Sequence, residues 1–222
     1  MLKADFHIHS KFSPDSSMSP ESLVAKCLRV GLNCIAVTDH NTIRGALEVS
    51  KIAPFMVIIG SEIKSSQGEI VGLFIKEDVP SGLSAVETAK HIKEQGGLVS
   101  IPHPFDRFRR NVITREGLLS VLPYIDIIEG FNARNIRGED NQKAQVFAGE
   151  HGLLTHGVTD SHSILEVGRT YTEIPEFDGV AQGFKEALAQ GKIVGRPSHP
   201  LVHTISTYNK IKKRLLRRIG IR

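Results

Sequence analysis

The sequence predicts an α/β protein whose parallel strands curl into a distorted barrel of about seven strand–helix units. One observation is the alternation of short strand-like runs with segments whose apolar residues recur every three or four positions. The other is that five short clusters of acids and histidines each follow the end of a strand-like run. In a barrel of parallel strands, the carboxyl ends of the strands meet at one mouth, where active sites form.

The strand-like runs follow each other along the whole chain as KADFHIH, NCIAVTD, MVIIGSE, EIVGLFI, GLVSIPH, DIIEGFN, LLTHGVTD, RTYTEI and KIVGR. Helical segments lie between most of them, and two begin with a serine in a capping position, Ser19 and Ser84. Three end at a glycine, Gly31, Gly96 or Gly152. The run QGEIVGLFI follows GSEIKS with no helix between them, so a local hairpin is expected there.

The length and the charge distribution predict one barrel domain over residues 1–200 and a basic amphipathic helical segment over 201–222. The chain has 222 residues and a formal net charge of +4. The last 22 residues carry seven basic side chains and no acid, which leaves the first 200 at −3. A mildly acidic body is consistent with a cation site lined by carboxylates. The basic residues of the segment are Lys210, Lys212, Lys213, Arg214, Arg217, Arg218 and Arg222.

A cytoplasmic protein is expected. The longest apolar runs, such as FMVIIG, are too short to span a bilayer, and the first residues enter a strand rather than a secretion signal. Cys27 and Cys34 form no CxxC pair, so they are expected to be reduced, buried fillers.

The five clusters read DFHIHS, TDHN, GSEI, IPHP and TDSHS. Imidazole and carboxylate are the ligand types that hold divalent metals close together while leaving room for water and substrate. A multinuclear metal site is therefore the leading hypothesis. The candidate ligands are His7, His9, Asp15, His40, Glu62, His103, Asp160 and His162.

Local geometry supports these candidates. Side chains alternate along a strand, so His7 and His9 point to the same side. The same alternation separates Asp39 from His40, which assigns His40 to the metal and Asp39 to support. Glu62 has two oxygens and is able to bridge two cations. The prolines on both sides of His103 restrict its backbone.

The ordered set HxH, TDH, Glu, Pro-His-Pro and DxH resembles the motifs of the polymerase and histidinol phosphatase (PHP) superfamily of metal-dependent phosphoesterases. The resemblance covers residues 2–200. The resemblance implies a distorted (βα)7 barrel with two to three divalent ions, commonly zinc, manganese or iron. It implies one group of ligands for each metal. The first metal would be held by His7, His9, Glu62 and Asp160, the second by Glu62, which is shared, and His103, and the third by Asp15, His40 and His162. Many members supply a further histidine or cysteine to the second metal where this chain has Asn132, so Asn132 is expected to bind a metal, a water or substrate.

The predicted function is hydrolysis of a phosphate ester by attack of a metal-bridging hydroxide on phosphorus. The substrate is expected to be a small phosphomonoester, a nucleotide or a short oligonucleotide. Asp160, His162 and Arg134 are the predicted catalytic residues, with Arg134 as the preferred phosphate clamp. Two alternatives stay open: an amidohydrolase-like enzyme that uses Lys64, and a PHP-like binding module without chemistry.

The basic C-terminal segment has three interpretations. Apolar residues at a spacing near four, including Ile211, Leu215 and Ile219, predict one apolar stripe on a basic helix. The helix would pack on the barrel with its lysines in solvent, contact nucleic acid, or bind anionic lipid.

Overall fold

A computed structural model describes residues 1–218 of the chain, and side chains as far as residue 216. Ile219 and Arg222 of the predicted basic segment lie outside the described residues. The strands are β1 Leu2–Ile8, β2 Cys34–Val37, β3 Met56–Ser65, β4 Gly68–Leu73, β5 Leu98–Ile101, β6 Ile127–Asn132, β7 Leu154–Val158, β8 Tyr171–Ile174 and β9 Lys192–Val194. The helices are α1 Pro20–Val30, α2 Arg44–Ile52, α3 Ala85–Glu94, α4 Arg115–Val121, α5 Gly138–His151, α6 Ala181–Leu188 and α7 Val202–Arg218.

All nine strands belong to one sheet, in the order β7-β6-β5-β4-β3-β2-β1-β8-β9. Strands β1, β2 and β3 pair in parallel, and so do β5, β6 and β7. The sheet curls until the chain after β7 meets β1, where the amide of His9 donates to the carbonyl of Ser161 at 2.9 Å. This nearly closed sheet confirms the predicted α/β barrel.

The predicted hairpin is confirmed, and it has a larger effect on the barrel than the sequence suggested. Strand β4 pairs antiparallel with β3 on one side and with β5 on the other. Strand β8 is antiparallel to β1, and β9 is antiparallel to β8. The barrel therefore consists of two parallel three-stranded units that are joined through antiparallel strands.

The helix ends follow the predicted capping signals. Ser19 accepts a hydrogen bond from the amide of Ser22 at the start of α1, which ends at Gly31 with φ of 75°. Ser84 and Glu87 form a reciprocal capping box at the start of α3. These local signals fix where the helices begin and end beside the strands.

Apolar side chains pack inside the curled sheet and between the sheet and its helices. Phe6 of β1 meets Phe184 of α6 edge to face, with ring centroids 4.9 Å apart. Cys27 and Cys34 are buried and free, and burial raises the pKa of each thiol to about 12. They are inert fillers of the core, as predicted.

Helix α7 buries only part of its apolar residues. Ile211 is 54% exposed and Leu215 is 55% exposed, whereas Val202 is buried and Leu216 is half-buried. Asn209 and Lys213 contact the barrel instead of solvent. The expected packing, with the apolar stripe inward and the lysines in solvent, is therefore wrong for Ile211, Leu215 and Lys213. Among residues 1–218, no helix combines the length and the apolar character needed to span a membrane.

Gly45 of α2 provides a test of the packing beneath the predicted site. A Cβ atom at Gly45 would lie 1.8 Å from Oδ2 of Asp39, whose carboxylate accepts bonds from Ser10 and Ser13. We expect Gly45→Ala to lower the free energy of unfolding by about 1–3 kcal/mol, because the side chains around it must shift. Gly149→Ala is the matched control, since a Cβ there meets nothing within 4 Å. It should stabilise its helix by up to about 1 kcal/mol in urea unfolding. Equal effects of the two changes would contradict this packing.

His156 of β7 provides a pH test away from the mouth. Burial lowers the pKa of His156 to about 4, and its Nε2 lies 3.1 Å from the hydroxyl of Ser100. The unfolded chain therefore binds more protons below pH 6.5, and stability should fall as pH drops from 6.5 to 4. The loss attributable to His156 is on the order of 3 kcal/mol at pH 4. Unfolding measured across this range should show a flatter profile for His156→Gln, and an unchanged slope would refute the assignment.

Candidate metal centre

The eight predicted ligands come together at one mouth of the barrel. His7 lies on β1 and His9 directly follows it, His103 follows β5, and Asp160 and His162 follow β7. Glu62 lies inside β3 rather than at its end, because β3 continues into the hairpin. Glu62 is nevertheless at the mouth, because a β-bridge pairs it with His40, which lies beyond the end of the shorter strand β2.

Two of these residues have a backbone conformation that side-chain-bearing residues rarely adopt. The φ angle is 32° at His103 and 53° at Asp160. Such conformations cost about 1–3 kcal/mol each and persist where the surroundings fix them, often at functional sites. The flanking prolines contribute to this restraint at His103.

The first group of ligand atoms comes from His7, His9, Glu62 and Asp160. Nε2 of His7 and Nε2 of His9 lie 2.9 Å apart. Oε2 of Glu62 is 3.6 Å from the former and 3.4 Å from the latter. Oδ1 of Asp160 is 3.6 Å and 3.5 Å from the same two nitrogens. This is the set that the PHP resemblance assigns to the first metal.

The second group contains the residues predicted for the third metal, together with His9. Nε2 of His40 is 3.2 Å from Oδ2 of Asp15, and Nε2 of His162 is 3.4 Å from Oδ1 of Asp15. One ligand atom from each of the four residues lies within 4.8 Å of all the others. His9 therefore stands between the two groups.

A third group introduces Glu69, which the sequence analysis missed. Oε1 of Glu62 is 3.2 Å from Nε2 of His103, and Oε2 of Glu69 is 3.8 Å from the same nitrogen. His40 completes the group, with its Nδ1 3.1 Å from Oε2 of Glu62. The predicted hairpin contained the signal, because alternation along β4 places Glu69 on the same face as Val71, the partner of Glu62.

Asn132 is occupied with hydrogen bonds within the protein. Its amide nitrogen donates to Glu129 at 2.8 Å and to Asp160 at 3.2 Å. Its oxygen accepts from the backbone amide of Arg134 at 2.9 Å and from Arg109 at 3.4 Å. The structure thus places Asn132 behind Asp160 as an orienting group, with Glu69 rather than Asn132 beside His103.

Two buried carboxylates support the histidines from behind. Glu129 of β6 lies 2.6 Å from Nδ1 of His7 and accepts the backbone amide of His103 at 2.9 Å. Asp39 accepts from the hydroxyl of Ser13, which is 3.0 Å from Nδ1 of His9. Carboxylates in this position fix the tautomer of a ligating imidazole. Glu129 was not predicted, although it lies in the strand run that ends at Asn132.

Two arginines border the group. Arg109, which was not predicted, forms ion pairs with Asp160 and with Asp106. Arg134 is buried, pairs with Glu166 at 3.3 Å, and places Nη1 2.6 Å from Nδ1 of His162. Much of the hydrogen-bonding capacity of Arg134 is therefore used within the protein.

Burial and neighbouring charges set the protonation of the site. Burial lowers the pKa of His9 to about 4, and burial together with Arg134 lowers the pKa of His162. Burial alone would also lower the pKa of His7, but the carboxylates of Asp160, Glu129 and Glu62 hold it well above its usual value. Burial and then Glu62 raise the pKa of Glu69 to about 6. Neutral imidazoles are the form that binds metals.

The donor set fits divalent cations. Oδ1 of Asp15, Oδ1 of Asp160 and Nδ1 of His103 are buried and have no hydrogen-bond partner. The two carboxylate oxygens instead face imidazole nitrogens at 3.4–3.6 Å. Mixed nitrogen and oxygen ligands are typical of zinc, manganese and iron sites. A cation among these atoms would give the unpartnered oxygens a partner.

A cavity of about 320 Å³ opens beside this group. Its wall contains both metal-ligand candidates and basic residues, the latter including Arg109, Arg110 and Arg134. Helix α7 forms a further part of the wall. The residues from α7 are His203, Ser206, Thr207 and Lys210.

Comparison with known proteins agrees with this geometry. Residues 5–212 match the family model of the PHP domain. The chain belongs to the PHP domain family. An uncharacterized protein of Methanocaldococcus jannaschii is 41% identical over 156 residues, which cover 64% of this chain and 89% of that protein. A second uncharacterized protein of the same organism is 33% identical over 181 residues, covering 80% of this chain and 72% of that protein. A 5'-3' exoribonuclease of Haemophilus influenzae is 33% identical over 100 residues, covering 42% and 36%.

Solved structures of PHP-like proteins share the fold. A two-domain protein of Bacteroides vulgatus, described as containing a predicted PHP-like metal-dependent phosphoesterase, aligns with a TM-score of 0.74 and 22% identity. The alignment covers 88% of this chain and 65% of that protein. Endonuclease Q in complex with a 27-mer duplex substrate aligns with a TM-score of 0.61 and 16% identity, covering 85% and 56%.

The position of Glu69 leads to a prediction about metal binding. We expect Glu69→Gln to weaken the binding of one Mn²⁺ or Zn²⁺ ion by about 10- to 100-fold, because a charged oxygen beside His103 becomes neutral. The measurement is metal titration by calorimetry, with bound metal counted by elemental analysis. Glu150→Gln, on the exposed side of α5, is the control and should bind as the wild type does. Unchanged affinity in Glu69→Gln would exclude Glu69 from the metal centre.

Proposed function

We propose that this PHP protein is a metal-dependent phosphoesterase that hydrolyses a small phosphomonoester, a nucleotide or a short oligonucleotide. The observation that carries the proposal is the juxtaposition of a dense imidazole and carboxylate group with a basic cavity. Divalent ions and arginines both attract phosphoryl oxygens, and candidate metal ligands and arginines line the same cavity. The cavity volume lies at the lower end of the range for small-molecule sites, which suits a compact substrate.

Metal ions bound here would acidify a water molecule and polarise a phosphoryl group. The residues of the chain have complementary roles. Arg109 and Asn132 orient the carboxylate of Asp160, whose pKa the Arg109 guanidinium helps hold well below its usual value despite burial. His162, with its lowered pKa, presents a neutral imidazole near neutral pH. Arg110 and Lys210, which also line the cavity, provide positive charge for an anionic substrate.

Similarities to nucleic-acid enzymes support the oligonucleotide end of this substrate range. One relative is named as a 5'-3' exoribonuclease, and one structural neighbour is an endonuclease bound to duplex DNA. Lys210 of α7 lines the cavity, and Lys212 and Arg214 further along the helix are exposed. A contact with nucleic acid phosphates would be salt-dependent, since binding releases counterions.

The two alternative functions receive less support. Lys64, which an amidohydrolase-like reaction would use, is exposed and belongs to none of the ligand groups found among the described residues. A binding module without chemistry would be expected to have lost ligands, whereas all eight predicted ligands converge here. Turnover of an amide without release of phosphate from any ester would favour the first alternative.

The test is a phosphate-release screen over monoesters, diesters and bisphosphates, with zinc, manganese and iron each reconstituted. We expect activity on at least one ester class, and its loss by at least about 100-fold in His9→Ala and Asp160→Ala, because each removes a side chain at the centre of the ligand group. His151→Ala, at the exposed end of α5, is the control. Full activity in either site variant would overturn the assignment of these residues.

A further inference from the structure

We propose that helix α7 supports metal binding, because its Lys213 positions the loop that carries Asp15. This inference rests on the metal centre proposed above but not on the identity of the substrate. It assigns the basic helix a role that none of its three sequence-based interpretations included. Lys213 would be a positioning residue, acting on the metal through the loop backbone and the Asp15 carboxylate.

The contacts of Lys213 support this role. Its Nζ donates to the backbone carbonyls of Lys11 at 2.7 Å, Ser13 at 2.6 Å and Ser16 at 2.5 Å. An ammonium group has three donors, which is enough for these three carbonyls. These three residues lie on both sides of Asp15 in sequence, so the ammonium group connects the two halves of the loop.

A second residue of α7 contacts the same loop. Asn209 is 8% exposed, and its amide nitrogen donates to the backbone carbonyl of Asp15 at 3.4 Å. Asn209 and Lys213 are four positions apart, so they lie on the same face of the helix. This face also carries Ser206, which accepts from Nη2 of Arg134 at 2.7 Å. Through Arg134, α7 also reaches His162, one of the two imidazoles beside Asp15.

No strand ladder fixes the backbone of Asp15, in contrast to His7 and Glu62. Asp15 lies in the irregular segment between β1 and α1, and its Oδ1 has no hydrogen-bond partner. Within this segment the hydroxyl of Ser16 donates to the carbonyl of His9 at 2.9 Å. Helix α7 adds the contacts of Lys213 and Asn209 to the backbone around Asp15.

The mode of docking also favours a functional role for the helix. Helix α7 exposes Ile211 and Leu215, while Val202 on the side that meets the barrel is buried. The same side directs Lys213 and Asn209 to the backbone around Asp15, and Ser206 to the guanidinium beside His162. Polar contacts with the site are therefore part of how this helix docks.

The experiment compares metal binding in Lys213→Met and the wild type, using Mn²⁺ and Zn²⁺ titrated into the full chain. We expect one ion to bind about 10- to 100-fold more weakly in Lys213→Met, as happens when support for a metal ligand is lost, while the other ions bind unchanged. Lys212→Met is the matched control: it removes the same charge from the exposed neighbouring position and should bind as the wild type does.

A double-variant cycle with Asp15→Asn tests the route of the effect. If Lys213 acts through Asp15, the variant carrying both changes should bind metal no more weakly than Asp15→Asn alone. Additive losses, or wild-type affinity in Lys213→Met, would overturn the proposal. Lys213→Gln retains a donor and should give an intermediate affinity, so it replaces Lys213→Met if circular dichroism shows that the latter is unfolded.

These results are independent of the outcome of the phosphate-release screen. A wild type that binds metals but hydrolyses no phosphate ester would contradict the proposed function and leave the metal-binding comparison intact. Retention of every ion by Lys213→Met, in a wild type that does hydrolyse an ester, would reject the role of α7 alone.

Discussion

The whole arrangement depends on burying several carboxylates next to one another at the mouth of a barrel. Glu62, Asp160 and Glu129 are nearly inaccessible to solvent, and Glu69 is only slightly more exposed. Buried carboxylates are costly unless cations or hydrogen bonds compensate for their charge. Imidazoles, Arg109 and Arg134 supply part of that compensation. Divalent ions would supply the rest, so the fold is stabilised most when the site is loaded.

The scaffold meets this demand by distributing the ligands over separate elements. Parallel strands provide His7, His103 and Asp160 from their carboxyl ends, and the antiparallel hairpin provides Glu62 and Glu69. Residues behind the ligands fix the angle at which each ring or carboxylate is presented. The positive φ angles at His103 and Asp160 are maintained because strands and supporting hydrogen bonds restrain them from several sides.

Much of this was predictable, since each signal is local or periodic. Strand runs, capping serines and terminal glycines predicted the elements. Clusters of acids and histidines after five of the strand runs, with Asp15 behind the first, supplied the eight candidate ligands. Glu69, Glu129 and Arg109 were missed because their role depends on which residues become neighbours after folding. The orientation of α7 was not predictable for a related reason: its apolar spacing predicts a stripe but does not determine which face meets the barrel.

The turn between β3 and β4 illustrates how a remote detail of the backbone controls chemistry. Ser65 and Gly68 pair across a two-residue loop, Ser66–Gln67, and Gly68 adopts φ of 129°. Because side chains alternate along a strand, lengthening or shortening that loop by one residue would turn Glu69 away from the mouth. The number of carboxylates offered to the cations is therefore encoded partly in the length of a surface turn that itself contains no ligand.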